Sequence, residues 1–147
     1  MKFKKPNISD IPVLNAISLA SKRHWGYPEE WIDHWMEDLT LTEKDLCVQE
    51  VLVLQVELRI IGFCATLDQG DYYEVIHLWV LPEFIGKGYG KLLLERALDN
   101  LDLPDKPIKV TADPHAEFFY KRQGFKTFSK VESYPKGRFL PLMIREV

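Results

Sequence analysis

Glu74-Val75-Ile76-His77-Leu78-Trp79-Val80-Leu81-Pro82-Glu83-Phe84-Ile85-Gly86-Lys87-Gly88-Tyr89-Gly90 is the stretch on which the fold turns. Its first part is rich in β-branched and aromatic residues and belongs to a strand expected over Tyr72 to Leu81. Pro82, with no amide hydrogen to give a ladder, closes that strand. Gly86, Gly88 and Gly90 then alternate, and a helix follows in which Leu94, Ala97, Leu98 and Leu101 recur at i, i+3, i+4 and i+7. A glycine loop between strand and helix lets the backbone approach an anion while the first helical amides point at it. Lys87 and Lys91 add positive charge. The loop is not a P-loop, since it lacks the four-residue spacing before Gly-Lys-Ser/Thr. Nor is it a dinucleotide fingerprint, because Lys91 breaks the pattern and the strands before it are antiparallel rather than βαβ. What remains is a diphosphate held outside both frameworks.

Upstream, Val51 to Val56 and Ile60 to Leu67 read as strands joined by a tight connection at Glu57 to Arg59, with a turn at Gln69-Gly70-Asp71. Such short spacings make an antiparallel meander with the Tyr72 strand. Further back, Ser9 or Asp10 caps a helix that places Val13, Ala16, Ile17 and Ala20 on one face and ends near His24. Gly26-Tyr27-Pro28 turns the chain. Pro28, Glu29 and Glu30 suit the first turn of a second helix, where Trp31, Ile32, Trp35, Met36 and Leu39 repeat.

Downstream, Pro104 and Pro107 fence a loop before a short strand, Ile108 to Ala112. That strand is reached through a helix, so it is expected parallel to its predecessor. Asp113 caps a helix with Pro114 at its first position, and this helix ends at Gly124. Phe125 to Val131 and Phe139 to Ile144 finish the chain as strands. The order α-α-β-β-β-α-β-α-β-β describes one α+β domain over 1–147, a mixed central sheet flanked by helices.

Composition narrows the function classes. A chain of 147 residues suits one domain, and its 22 acidic against 19 basic residues argue against a nucleic-acid-binding module. Cys47 and Cys64 sit among apolar residues and read as buried free thiols, which fits a reducing, cytoplasmic setting. The start shows no secretory leader, and no apolar run approaches the roughly 20 residues of a membrane span. His24 and His34 with Asp33 and Glu37 do not share a face, so no metal site is expected.

The glycine stretch quoted above resembles the acetyl-CoA-binding segment of the GNAT superfamily of N-acetyltransferases. The later run Asp113-Pro114-His115-Ala116-Glu117-Phe118-Phe119-Tyr120-Lys121-Arg122-Gln123-Gly124-Phe125 resembles that family's second segment, an Ala-x-x-Phe-Tyr helix ending in Gly-Phe. Both occur in the family's order, and the expected elements match its fold over nearly the whole chain. The resemblance implies an N-acetyltransferase moving acetyl from acetyl-CoA to a primary amine, of a small molecule or peptide, by direct attack. It implies pantetheine pairing along Leu78, Trp79 and Val80, and a coenzyme loop of Ile85, Gly86, Lys87, Gly88, Tyr89, Gly90 and Lys91. Asp113, Phe119 and Tyr120 complete the coenzyme contacts. Ile85 stands where the family has Arg or Gln, and Asp113 where Asn is common; both departures weaken a polar contact.

Tyr120 matches the tyrosine that faces the coenzyme sulfur, and a phenol suits protonation of a departing thiolate. Glu74 matches a catalytic glutamate of some members; His77 is the second candidate base, and water alone the third. An ideal strand turns His77 away from Glu74, although a bulge would change that parity. On the acceptor side, Trp25, Tyr27 and Trp31 are expected as an aromatic wall, with Glu29 or Glu30 drawing a cationic amine. The alternative is a catalytically weak acyl-CoA-binding module. Monomer and homodimer both remain open.

Overall fold

The computed structural model describes residues 1–102 and 105–146, so the expected role of Pro104 lies outside the described residues. The strands are β1 (Lys2–Lys4), β2 (Glu50–Val56), β3 (Arg59–Asp68), β4 (Tyr73–Val80), β5 (Ile108–Thr111), β6 (Lys126–Ser133) and β7 (Arg138–Arg145). The helices are α1 (Ile11–His24), α2 (Glu29–Leu39), α3 (Glu43–Val48), α4 (Tyr89–Asp99) and α5 (Glu117–Arg122). All strands form one sheet in the order β1-β2-β3-β4-β5-β7-β6, and β4 with β5 is its parallel pair. The mixed α+β architecture and the parallel crossover are as the sequence leads one to expect.

Both faces of the sheet are covered, which is why β2 and β3 carry unbroken apolar runs rather than alternation. Leu54, Ile61, Cys64, Leu93, Leu94 and Met143 lie in the core on the α4 face. Leu14, Ile17, Leu41, Val53, Phe63 and Ala65 form the core on the other face, beneath α1. Each fully buried aliphatic side chain contributes about 1.5–3 kcal/mol. A third cluster, Ile32, Trp35 and Leu39, anchors α2.

Four features differ from the sequence expectation. The three-residue β1 and the six-residue α3 are additional elements; α3 is announced by a capping box of Thr42 and Asp45. The helix expected after Asp113 is divided into a 3-10 turn at Pro114–Ala116 and then α5. Cys47 is exposed on α3 while Cys64 is buried, and both are free thiols. Finally, α1 keeps Ile17 inward as expected but otherwise turns a different face to the core. Val13 is 44% exposed, whereas Leu14, Ile17, Ser18, Ser21 and Lys22 are buried. Hydrogen bonding makes the polar members of that stripe tolerable: Ser18 Oγ donates to the Leu39 carbonyl at 2.8 Å and Ser21 Oγ to the Val80 carbonyl at 2.7 Å. Asn15 adds a two-way clasp on Leu41, accepting from its amide and donating to its carbonyl. These bonds fix α1 against both the α2–α3 connection and the end of β4.

Gly62 on β3 explains how β4 lies so close. A Cβ there would stand 2.7 Å from the Trp79 carbonyl oxygen, a backbone atom that cannot rotate aside. Gly62→Ala is expected to destabilise the fold by about 1–3 kcal/mol, the usual range for overpacking. Chemical denaturation of the two proteins measures the loss, and an unchanged midpoint would refute the close-approach account.

Candidate active site

The cleft arises where two neighbouring strands separate. β4 pairs with β5 at Tyr73, Glu74 and Val75 only, then continues to Val80 while bonded to β3 alone. A bulge marks the departure. Ala65 faces His77 and Thr66 faces Val75, so Ile76 is the extra residue on β4. The bulge shifts the side-chain parity: Val75 packs on the α4 face, while His77 lies beside Phe63 on the α1 face.

The ladder decides what the gap presents. The Leu81 amide donates to the Ile61 carbonyl, so the opposed pairs Gly62–Val80 and Cys64–Leu78 are the non-hydrogen-bonded ones. The amides of Leu78 and Val80 therefore turn away from β3, into the opening. Ser21 already occupies the Val80 carbonyl, which leaves the Val80 N–H and both polar groups of Leu78 for a ligand.

One end of the opening is the glycine loop. Gly86 and Gly88 have φ of 83° and 86°, a conformation that other residues adopt only at a cost, and Gly88 is the N-cap of α4. The first helical bond runs from the Leu92 amide to the Gly88 carbonyl. Amides ahead of it have no helix acceptor and form an anion-binding end. Gly90 lies against Phe119, whose ring would be 3.5 Å from an added Cβ. Together these walls enclose about 700 Å³.

A model of the acetyltransferase (GNAT) domain matches residues 20–144. This chain belongs to the GNAT acetyltransferases. No curated protein matches its sequence, but solved GNAT structures superpose closely. PaiA N-acetyltransferase from Thermoplasma acidophilum, in complex with coenzyme A, has a TM-score of 0.80 at 19% identity, over 99% of this chain and 98% of that one. Ribosomal-protein-S18-alanine N-acetyltransferase from Escherichia coli gives 0.70 at 16% identity, covering 98% and 92%. Aminoglycoside 6'-N-acetyltransferase complexed with coenzyme A gives 0.71 at 15% identity, covering 99% and 96%.

In this GNAT domain the cleft gathers many of the residues singled out in the sequence. Leu78, Trp79 and Val80 line it along β4, Ile85, Gly86, Gly88, Gly90 and Lys91 at the loop, and Asp113, Phe119 and Tyr120 opposite. Lys87 and Tyr89 pack on Phe84, itself a lining residue: the Lys87 ammonium lies 5.7 Å from that ring's centroid and the Tyr89 ring 5.9 Å from it. Glu74 does not line the cleft. It precedes the bulge, accepts a hydrogen bond from Gln69 Nε2 at 2.8 Å, and borders a separate hollow with Tyr72 and Lys109.

Tyr120 is 5% exposed, on α5. Burial drives its phenol far above the ordinary value, and the neighbouring Cys64 thiol, itself pushed up to about 12, adds to the effect. Its hydroxyl has no hydrogen-bond partner among the described residues, so it is a neutral donor without an assigned acceptor. His77 is neutral too: burial pulls its pKa down to about 4, outweighing the nearby Asp45 and Asp38 carboxylates. Its Nδ1 accepts the Trp79 indole N–H at 3.0 Å, which assigns the ring proton to Nε2.

The acceptor side differs most from the sequence expectation. Glu29 is engaged by Arg23 on the surface, and Trp31 packs in the α2 cluster. Trp25 does line the cleft, stacked on His115 at 4.6 Å. Tyr27 reaches its edge through a hydroxyl bonded to Asp113. Asp113 itself is held by Lys22 at 2.6 Å and approached by Arg138 at 3.4 Å. Burial alone would raise its carboxyl, but Lys22 and His115 hold it below the ordinary range. Its charge is thus directed to the acceptor side. Lys22, Trp35, Asp38 and Arg138 were not identified from the sequence as site residues. A lysine on the buried stripe of an amphipathic helix was the available signal for Lys22; Arg138, on a terminal strand, offered none.

Because His77 is held neutral, the unfolded chain binds its proton more readily between pH 6.5 and 4. Stability is therefore complete above pH 6.5 and is lost as pH falls to about 4, by roughly 3 kcal/mol from this group. His77→Phe is expected to flatten that acid limb in denaturation measured across the same window.

Proposed function

We propose that this chain transfers an acetyl group from acetyl-CoA to a primary amine by direct attack. The observation that carries the reading is the gap between β4 and β5: free amides of Leu78 and Val80 face a cleft that the glycine loop and Tyr120 also line. That arrangement fits a pyrophosphate at the α4 N-terminus, a pantetheine arm along β4 and a thioester near Tyr120. Backbone amides supply most of the grip, so Ile85 at the polar position does not remove it.

The chemistry follows from the groups present. The amine lone pair attacks the thioester carbonyl carbon as charge develops on its oxygen; the Val80 N–H is aimed to receive that charge, a kind of contact worth about 3–4 kcal/mol. The C–S bond then breaks, and Tyr120 gives its proton to the departing thiolate. Burial keeps the phenol protonated until it is needed, and the same desolvation makes the departing thiolate more basic, so the two groups shift in the same direction. The amine gives its own proton to water. Glu74 lies outside the cleft, and both nitrogens of His77 are committed, one to Trp79 and one to its own proton.

Isothermal calorimetry with coenzyme A tests the site directly; absence of binding at millimolar ligand would overturn the reading. Tyr120→Phe is expected to lower kcat about 100-fold, within the range for a general acid, with coenzyme affinity nearly unchanged. Glu74→Gln is expected to keep kcat within about twofold, against the 100-fold or greater loss that removal of a general base causes. Thiol release followed against pH gives a further readout. With water as proton acceptor, kcat/KM should climb steadily toward the amine's own pKa, with no plateau near neutrality.

A further inference from the structure

The acceptor end of the cleft holds more positive charge than its own residues neutralise. Lys22 enters from α1 and Arg138 from β7, and their side chains are only 10% and 11% exposed. One carboxylate serves both. Lys22 takes Asp113 Oδ2 at 2.6 Å, leaving Arg138 a contact of 3.4 Å to the same oxygen. The other Arg138 bonds are also long, 3.3 Å to Ser133 Oγ and 3.2 Å to the Tyr27 hydroxyl, and among the described residues its Nε–H has no partner. Charge-assisted bonds of a guanidinium normally close to about 2.7–2.9 Å. Here one half-buried cation at the cleft wall is left loosely held, a site that a ligand's negative charge would stabilise.

The surrounding rings support the same conclusion. Lys22 Nζ lies 4.6 Å and the Arg138 guanidinium carbon 4.4 Å from the Trp35 ring centroid, and both cations also cover Tyr27. The aromatic faces that would otherwise attract a cationic acceptor are occupied by the protein's own cations. Negative charge reaches the cleft from a different element: Asp38 of α2 lines it, and its field acts on His77. The acceptor side thus presents a positive seat and, apart from it, a carboxylate suited to an ammonium.

Resting on the acetyl-transfer reading above, we infer that the acceptor is an amine bearing a carboxylate, which sits against Arg138 beside the Lys22–Asp113 pair. Burial, with Arg138 adding to it, holds the Lys22 ammonium below its ordinary pKa despite Asp113, and an added carboxylate opposes that pull. A single uncompensated charge matches a carboxylate better than a phosphate.

Thermal unfolding of the full chain without coenzyme tests the seat by itself. The probes are N-acetyl-amino acids, each beside its own carboxamide. Acids should raise Tm and amides should not; Arg138→Gln should erase the difference, and Arg138→Lys should restore part of it. Lys22→Met tests the same seat from the opposite wall should Arg138→Gln fail to fold. With acetyl-CoA, free amino acids should exceed their amides in kcat/KM by about tenfold or more, as for a hydrogen bond to a charged group. Equal Tm shifts for acids and amides, a larger shift with phosphoethanolamine, or spermidine outperforming every amino acid would overturn the inference. An acid-selective shift in a chain that binds no coenzyme would uphold the seat and overturn the acetyl-transfer reading instead.

Discussion

β4 keeps its bonds to β3 as far as Val80 but leaves β5 after Val75, and the cleft descends from that unequal pairing. A strand bonded on one side has spare donors and acceptors on the other, and burying them unpaired is unfavourable. The fold tolerates them because they face an open cleft rather than packed core. Gly62 allows close approach beneath, and Ser21 takes the last carbonyl from above. The site is therefore not added to a finished scaffold; it is the place where the scaffold's hydrogen bonding is incomplete.

Electrostatics divide that opening into two ends. At the loop, partial charges of unpaired amides do the work, with the Lys91 ammonium also lining it. At the far end, formal charges dominate: buried Lys22 meets half-buried Arg138 and Asp113, and the carboxylate offsets much of what either cation would cost alone. Between them the groups nearest the proposed chemistry are neutral, since burial keeps the Tyr120 phenol protonated and the His77 ring uncharged. Asp113, standing where the family pattern has Asn, belongs to the charged end, so its negative charge is absorbed locally.

Much of this was legible in the sequence because it is encoded by neighbours in the chain. The glycine alternation at 86, 88 and 90, the Pro82 stop and the Ala116–Phe119–Tyr120 spacing each specify local backbone or one helix face. The parallel placement of β5 followed from the helix before it. What escaped was set by contacts distant in sequence. The inward phase of α1 depends on Leu39 and Val80 carbonyls that accept from Ser18 and Ser21, so counting apolar residues selected Val13 instead of Leu14. The Lys22–Asp113–Arg138 group joins three separate elements. Glu74 and His77 illustrate the same limit: one extra residue at Ile76 decides which strand face each occupies, and no residue type announces it.

The glycine loop presents main-chain amides, while the Lys87 and Tyr89 side chains pack on Phe84. Selection acting on such a loop constrains torsion angles far more than side-chain identity. A different sequence can then follow much the same trace, as in the solved N-acetyltransferase that shares 19% of its residues yet superposes with a TM-score of 0.80. Backbone shape is thereby kept where the letters differ.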